Sequence, residues 1–185
     1  MHTLTFGQTW KETLDPGFQP ATVLLRRVGD TLELEARLCD SAIHCPEARF
    51  NEMAYTKGDV FELFIKGEGD SRYHEIHVTP DNVLLQLRFE VGAKRPFDIP
   101  KALVWEPLLA SSTERVDGGW IARFSIPLAN LSSQSPLPTG WKIGCGRYDY
   151  QAVGEGVFKP VLSNTAPLTI ADYHRHEEWP VLDFA

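Results

Sequence analysis

The chain alternates apolar and polar residues over many short runs, and period-two alternation is the mark of half-buried strands. The most regular stretch runs from Asp59 to Phe89. Asp59-Val-Phe-Glu-Leu-Phe-Ile-Lys66 is followed by the turn-prone Gly67-Glu-Gly-Asp-Ser71. Tyr73-His-Glu-Ile-His-Val-Thr79 is closed by Pro80-Asp-Asn82, and Val83-Leu-Leu-Gln-Leu-Arg-Phe89 completes the block. As three consecutive strands, these runs place Phe61, Leu63, Ile65, Ile76, Val78, Val83, Leu85, Leu87 and Phe89 on one face. The opposite face then carries Glu62, Tyr73, Glu75, His77, Gln86 and Arg88. A sheet with one apolar side and one side of hydrogen-bonding groups suits a polyhydroxylated ligand. Simple solvation produces the same pattern.

Strand signals continue along the whole length. Thr22 to Val28 and Thr31 to Leu38 flank Gly29-Asp30, which reads as a hairpin with a two-residue turn. Cys39 to Lys57 shows no clear period and contains Pro46, so it reads as an excursion with at most a helical turn. Gly92 to Pro100 is a loop before a short strand at Ala102 to Glu106. A second hairpin joins Ser112–Val116 to Trp120–Ile126 through Asp117-Gly-Gly119. A brief turn at Pro127–Leu131 and a Ser/Pro-rich loop at Ser132–Gly140 lead to a long strand, Trp141–Tyr150. After Val153 the chain reads as irregular until Val181–Phe184. About ten strands without a convincing helix predict an all-β fold, an antiparallel β-sandwich of immunoglobulin-like or jelly-roll type. No internal repeat appears, and 185 residues make one domain spanning 1–185.

Composition narrows the function. The net charge of -7 comes from mixed acidic and basic residues, with no basic patch to recruit nucleic acid. No apolar run reaches the roughly 20 residues that span a bilayer, so no membrane partner is expected. The amino terminus lacks a basic segment and an apolar run of signal type, giving a cytoplasmic expectation. Cys39, Cys45 and Cys145 follow no metal spacing and are expected as free thiols, with Cys145 buried.

Three constellations carry candidate chemistry. His174 and His176 have strand-like spacing that could hold a metal with Glu177 or Glu178, although solvated loop histidines would look the same. Glu62 and Glu75 fall on neighbouring strands and one face, close enough to be a glycosidase pair. No nucleophile elbow, phosphate loop or His-Glu-x-x-His motif accompanies them. Among the aromatics, Trp120 and Trp141 share parity with core residues, Tyr148 and Tyr150 lie on the other parity, and Tyr55 and Tyr173 sit in irregular polar segments. Those last two are the rings expected at a site.

Gly58-Asp-Val-Phe-Glu-Leu-Phe-Ile65, followed by Tyr73-His-Glu-Ile-His-Val-Thr-Pro80, is similar to family 9 carbohydrate-binding modules and their broader family 9-like set. Gly119-Trp-Ile-Ala-Arg-Phe-Ser-Ile-Pro-Leu128, Trp141-Lys-Ile-Gly-Cys-Gly-Arg-Tyr148 and the ending Asp172 to Phe184 resemble later family segments in the same order. The resemblance implies a β-sandwich that binds sugars, often at a chain end held between two tryptophans, with a Glu, an Arg and amide groups bonding the sugar. Carried over, the Glu falls on Glu62, the Arg position on His77, and the two ring positions near Tyr55 and on Tyr173. Both family tryptophans are therefore absent. The family can carry structural calcium, for which the sequence assigns no ligands; no other cofactor is expected.

These readings converge on a non-catalytic saccharide-binding domain using Tyr55, Glu62, Glu75, His77, Gln86, Arg88 and Tyr173. Two alternatives stay open. One is a b-type haem electron-transfer domain ligated by Met53 and one of His77, His174 or His176. The other is a glycoside-active enzyme using Glu62 and Glu75.

Overall fold

The structure is a computed structural model that describes residues 1–184. Its strands are β1 (His2–Thr5), β2 (Ala21–Val28), β3 (Thr31–Cys39), β4 (Val60–Gly67), β5 (Arg72–Val78) and β6 (Leu84–Glu90). They continue with β7 (Ala110–Val116), β8 (Gly119–Pro127), β9 (Gly140–Gly154), β10 (Val157–Asn164) and β11 (Val181–Asp183). One short helix, α1 (Ile99–Ala102), is started by the Asp98 side chain, which accepts from the Lys101 amide.

Two antiparallel sheets form a sandwich. One has the order β1-β2-β3-β8-β7; the other has β10-β9-β4-β5-β6, with β11 also paired to β9. Between them lie Val23, Leu25, Leu34, Phe61, Leu63, Ile65, Ile76, Val78, Trp120, Phe124, Trp141, Ile143 and Cys145. This is the alternation expected from the sequence: Trp120 and Trp141 are core, and Cys145 is a buried free thiol like the other, more exposed cysteines. In the β2–β3 turn, Gly29 takes φ +59°, the left-handed conformation that the tight reversal needs.

Three element expectations change. Val157–Asn164, read as irregular, is the edge strand β10, where Pro160 is tolerated because an edge position need not donate to a ladder. His2–Thr5 adds a short edge strand on β2. The strand expected at Ala102–Glu106 is instead the end of α1 and a single bridge, Leu103 to Leu87.

The largest correction concerns β6. Val78 pairs with Leu84, His77 with Leu85, Glu75 with Leu87 and Tyr73 with Phe89. The connection therefore runs through Thr79–Val83, tied by the Thr79 amide to the Val83 carbonyl, with Asn82 at φ +60°. That register puts Leu85, Leu87 and Phe89 on the face of Glu75 and His77, and Gln86 and Arg88 on the face of Ile76 and His74. These faces are the reverse of those expected from the sequence. A slip of one residue flips every side chain of a strand.

The outer face of the second sheet is consequently not a solvated stripe. A second apolar cluster covers it: Phe64, Tyr73, Leu85, Leu87 and Phe89 from the sheet, under Ala166, Leu168, Tyr173 and Trp179 from the chain after β10. Trp179 is anchored by its indole N–H donating to the Tyr173 carbonyl at 2.9 Å.

Candidate functional site: a buried carboxylate–histidine cluster under aromatic rings

β4 and β5 pair Glu62 directly with His77, and Phe64 with Glu75, so the polar groups of both strands meet at one place. Glu62 is 2% exposed, Glu75 5% and His77 2%, so the family-like positions lie beneath the covering segment rather than in solvent. His77 Nε2 donates to Glu75 Oε1 at 2.5 Å. Its Nδ1 stands 3.2 Å from Glu62 Oε1, within ion-pair distance but without hydrogen-bond alignment. The imidazole is a wedge between two carboxylates.

Electrostatics follow from that geometry. Burial pushes the Glu62 carboxyl up to about 8; the His77 charge opposes the shift and the Glu75 charge adds to it. Burial would also raise Glu75, but the charge and hydrogen bond of His77 outweigh it and hold Glu75 below the ordinary value. Burial alone would lower His77, yet the two carboxylates raise it. In the free protein at neutral pH, the favoured arrangement is an ionised Glu75 on a charged imidazole beside a protonated Glu62.

Above the cluster lies a cavity of about 240 Å³ lined by Tyr55, Glu62, Phe64, Glu75, Tyr148 and Tyr173, with Arg95, Asp172 and His174 at its edge. Tyr55 contacts His77 at 5.3 Å between ring centres and Tyr148 at 5.5 Å; Tyr148 meets Tyr173 at 6.0 Å. The two tyrosines singled out from the sequence thus line the same pocket. Tyr173 is held in place by donating to the Arg147 carbonyl at 3.2 Å. Its ring packs against Gly146 of β9, where an added Cβ would come within 2.7 Å of the ring and 2.8 Å of Glu62 Oε2. Glycine is needed there for closeness, not for an unusual φ.

Gln86 and Arg88 do not reach this pocket. Gln86 is fully buried and closes the sheet edge: its amide donates to the carbonyls of Val104 and Glu106, both at 3.2 Å, and its oxygen accepts from the Leu108 amide at 2.9 Å. Arg88 lies in a separate polar cleft with Asp70, Arg72 and His74. Residues the sequence analysis did not assign to the site are Phe64, Tyr148, Arg95, Leu162, Asp172 and His174. Phe64 and Tyr148 were legible, since they share the parity of Glu62 and Tyr150 along their strands. Leu162 comes from β10, the strand read as irregular, and Arg95, Asp172 and His174 come from loops, where periodicity carries no information.

The remaining candidates resolve separately. His174 turns inward: with Tyr73 donating to its Nδ1 at 3.1 Å, its Nε2 lies 3.5 Å from Glu75 Oε2. His176 lies near Glu177 and Trp179, and the two histidines converge on no common group among the described residues. Met53 is exposed, with its sulfur accepting from the Tyr55 hydroxyl at 3.5 Å, and both ring nitrogens of His77 face carboxylates. Of the three histidines expected as haem partners for Met53, His77 has carboxylates at both ring nitrogens. A structural calcium would need six to eight oxygen ligands. Asp40, Asp59 and Asp149 bring carboxylate oxygens together, but Arg147 Nη2 lies 3.3 Å from both Asp40 and Asp149, and both Asp59 oxygens accept backbone amides. These residues fit a guanidinium rather than calcium.

The fold is that of the family 9 carbohydrate-binding modules, CBM9. A putative carbohydrate-binding protein from Bacteroides uniformis superposes with a TM-score of 0.75 at 14% identity, covering 100% of this chain and 86% of that one. A CBM9 from Caldicellulosiruptor kristjanssonii in complex with cellotriose gives 0.57 at 13% identity, over 88% of this chain and 73% of that one. The same module in complex with glucose gives 0.57 at 13% identity, over 88% and 75%. No protein-family model and no curated protein sequence matches the chain. At such identities the likeness establishes the fold alone.

Proposed function

We propose that this chain is a non-catalytic carbohydrate-binding domain whose ligand enters the cavity above Glu62 and Glu75. The observation that carries the proposal is the convergence of Tyr55, Tyr148 and Tyr173 around two buried carboxylates within one pocket. Aromatic rings offer apolar faces to the C–H side of a sugar, while carboxylates accept from its hydroxyls. Solved neighbours that hold cellotriose and glucose support the reading at the level of fold. The pocket lies somewhat below the roughly 300–1,000 Å³ of drug-sized sites, so it suits one end of a saccharide rather than a chain laid across a surface. A binding role is preferred to hydrolysis because His77 occupies the gap between the carboxylates, where an acid and a nucleophile would have to flank a sugar bond.

Calorimetric titration with a panel of mono- and disaccharides tests this. Millimolar affinity for at least one sugar is expected, lost in Tyr55→Ala and in Glu62→Gln with the thermal transition retained. No binding to any sugar at millimolar concentration sinks the proposal.

A further inference from the structure

The charges of the pocket balance only while one of its carboxylates holds a proton. Two buried carboxylates, Glu62 and Glu75, share the single imidazole of His77. Arg95, the one arginine on the pocket wall, is committed at the rim, its Nη2 2.5 Å from Asp172 Oδ1. With Glu62 and Glu75 ionised, Glu62, Glu75 and Asp172 face only His77 and Arg95, and one negative charge is left over. Glu75 shows where it is felt. Its Oε1 receives the His77 proton, but its buried Oε2 has no hydrogen-bond partner. The nearest candidate, His174 Nε2, is 3.5 Å away on a ring that burial keeps neutral by lowering its pKa.

A buried carboxylate short of donors costs free energy, and a cation in the cavity beside it offsets its charge. The walls point to the kind of donor. Tyr55, Phe64, Tyr148 and Tyr173 line the same cavity, and the negative faces of aromatic rings attract cations. An ammonium brings three N–H donors and the missing positive charge together. A neutral hydroxyl brings one donor and no charge; a ligand carboxylate would be repelled.

We propose that the saccharide recognised in this pocket carries a free amino group, held at the Glu62 and Glu75 carboxylates that line the cavity. This rests on the saccharide reading above. The raised pKa of Glu62 is consistent with it, because the empty pocket quenches the surplus charge with a proton that an ammonium would displace.

The test is titration of the unaltered chain at neutral pH with glucosamine, N-acetylglucosamine, glucose and glucuronic acid, with ethanolamine as an amine lacking the ring. Glucosamine is expected to bind at least about tenfold more tightly than glucose, as a charge-assisted bond provides. Acetylation should erase that advantage, and glucuronic acid should bind most weakly. In Glu75→Gln the ratio of glucosamine to glucose affinity should fall towards one; if that variant does not fold, the comparison of sugars on the unaltered chain decides alone. Glucose binding as well as glucosamine overturns this inference and leaves the saccharide reading intact. Ethanolamine matching glucosamine overturns it in favour of a bare cation site. No binding by any sugar fails the underlying reading instead.

Discussion

His77 is the residue on which the pocket's chemistry turns. It is an ionisable ring placed between two buried carboxylates, and the three groups set one another's protonation. The sign of the resulting pH dependence can be worked out. Glu62 is raised from 4.5 to about 8 and His77 is raised above 6.5, so the folded chain retains protons that the unfolded chain releases. Asp59, raised to about 7, and Asp149, raised to about 6, act in the same direction but below pH 7, so Glu62 and His77 carry the loss above it. His74, His174 and His176 have lowered pKa values, and their opposing gain is complete once the pH exceeds the ordinary histidine value of 6.5. Stability should therefore fall from about pH 7 to about pH 9. Thermal melts across that range check this, and the slope should be shallower in Glu62→Gln; an unchanged slope would mean that the cluster does not hold the proton. Gly146 gives a second expectation at this scale. Gly146→Ala forces its methyl against Tyr173 and Glu62, costing about 1–3 kcal/mol in denaturant unfolding and weakening sugar binding.

At the scale of elements, β6 is where sequence and structure part. Leu85, Leu87 and Phe89 share one parity, but the sheet has an apolar cluster on each face, so alternation alone cannot say which face they take. Placing Gln86 and Arg88 beside Glu75 required Val83 to extend the ladder; instead Val83 is spent in the turn that Thr79 and Asn82 close. Gln86 becomes an edge clasp. Gln86→Ala should cost about 1–3 kcal/mol, because the Leu108 amide and two carbonyls lose their partner, while leaving sugar affinity unchanged. A fall in affinity with stability intact would restore it to the site. β4 and β5, by contrast, were legible residue by residue, since Phe61, Leu63 and Ile65 leave Glu62 only one direction to point.

At the scale of the whole molecule, the chain after β10 folds back over the second sheet and turns an exposed face into a buried one. Trp179 holds that cover through Phe64, Tyr73 and the Tyr173 carbonyl, with Gly144 leaving room for its ring. Trp179→Ala should lower stability by about 3–5 kcal/mol and loosen Tyr173, so sugar affinity falls with it. Hydrogen exchange of the amides around Tyr173 would register the loosening directly. Unchanged exchange would show that the cover stands without its tryptophan.

The sequence by itself determined the sandwich and much of its alternation, because core burial selects one parity along each strand and turn residues mark the ends. It also picked out Glu62, Glu75, Tyr55 and Tyr173, which line one pocket, and His77, which contacts both carboxylates. Packing in three dimensions buries these groups, sets His77 between both carboxylates and sends Gln86 and Arg88 elsewhere. Those facts depend on a pairing register set by a turn and on a loop segment packing across a sheet. Both are long-range arrangements that leave no period in the chain.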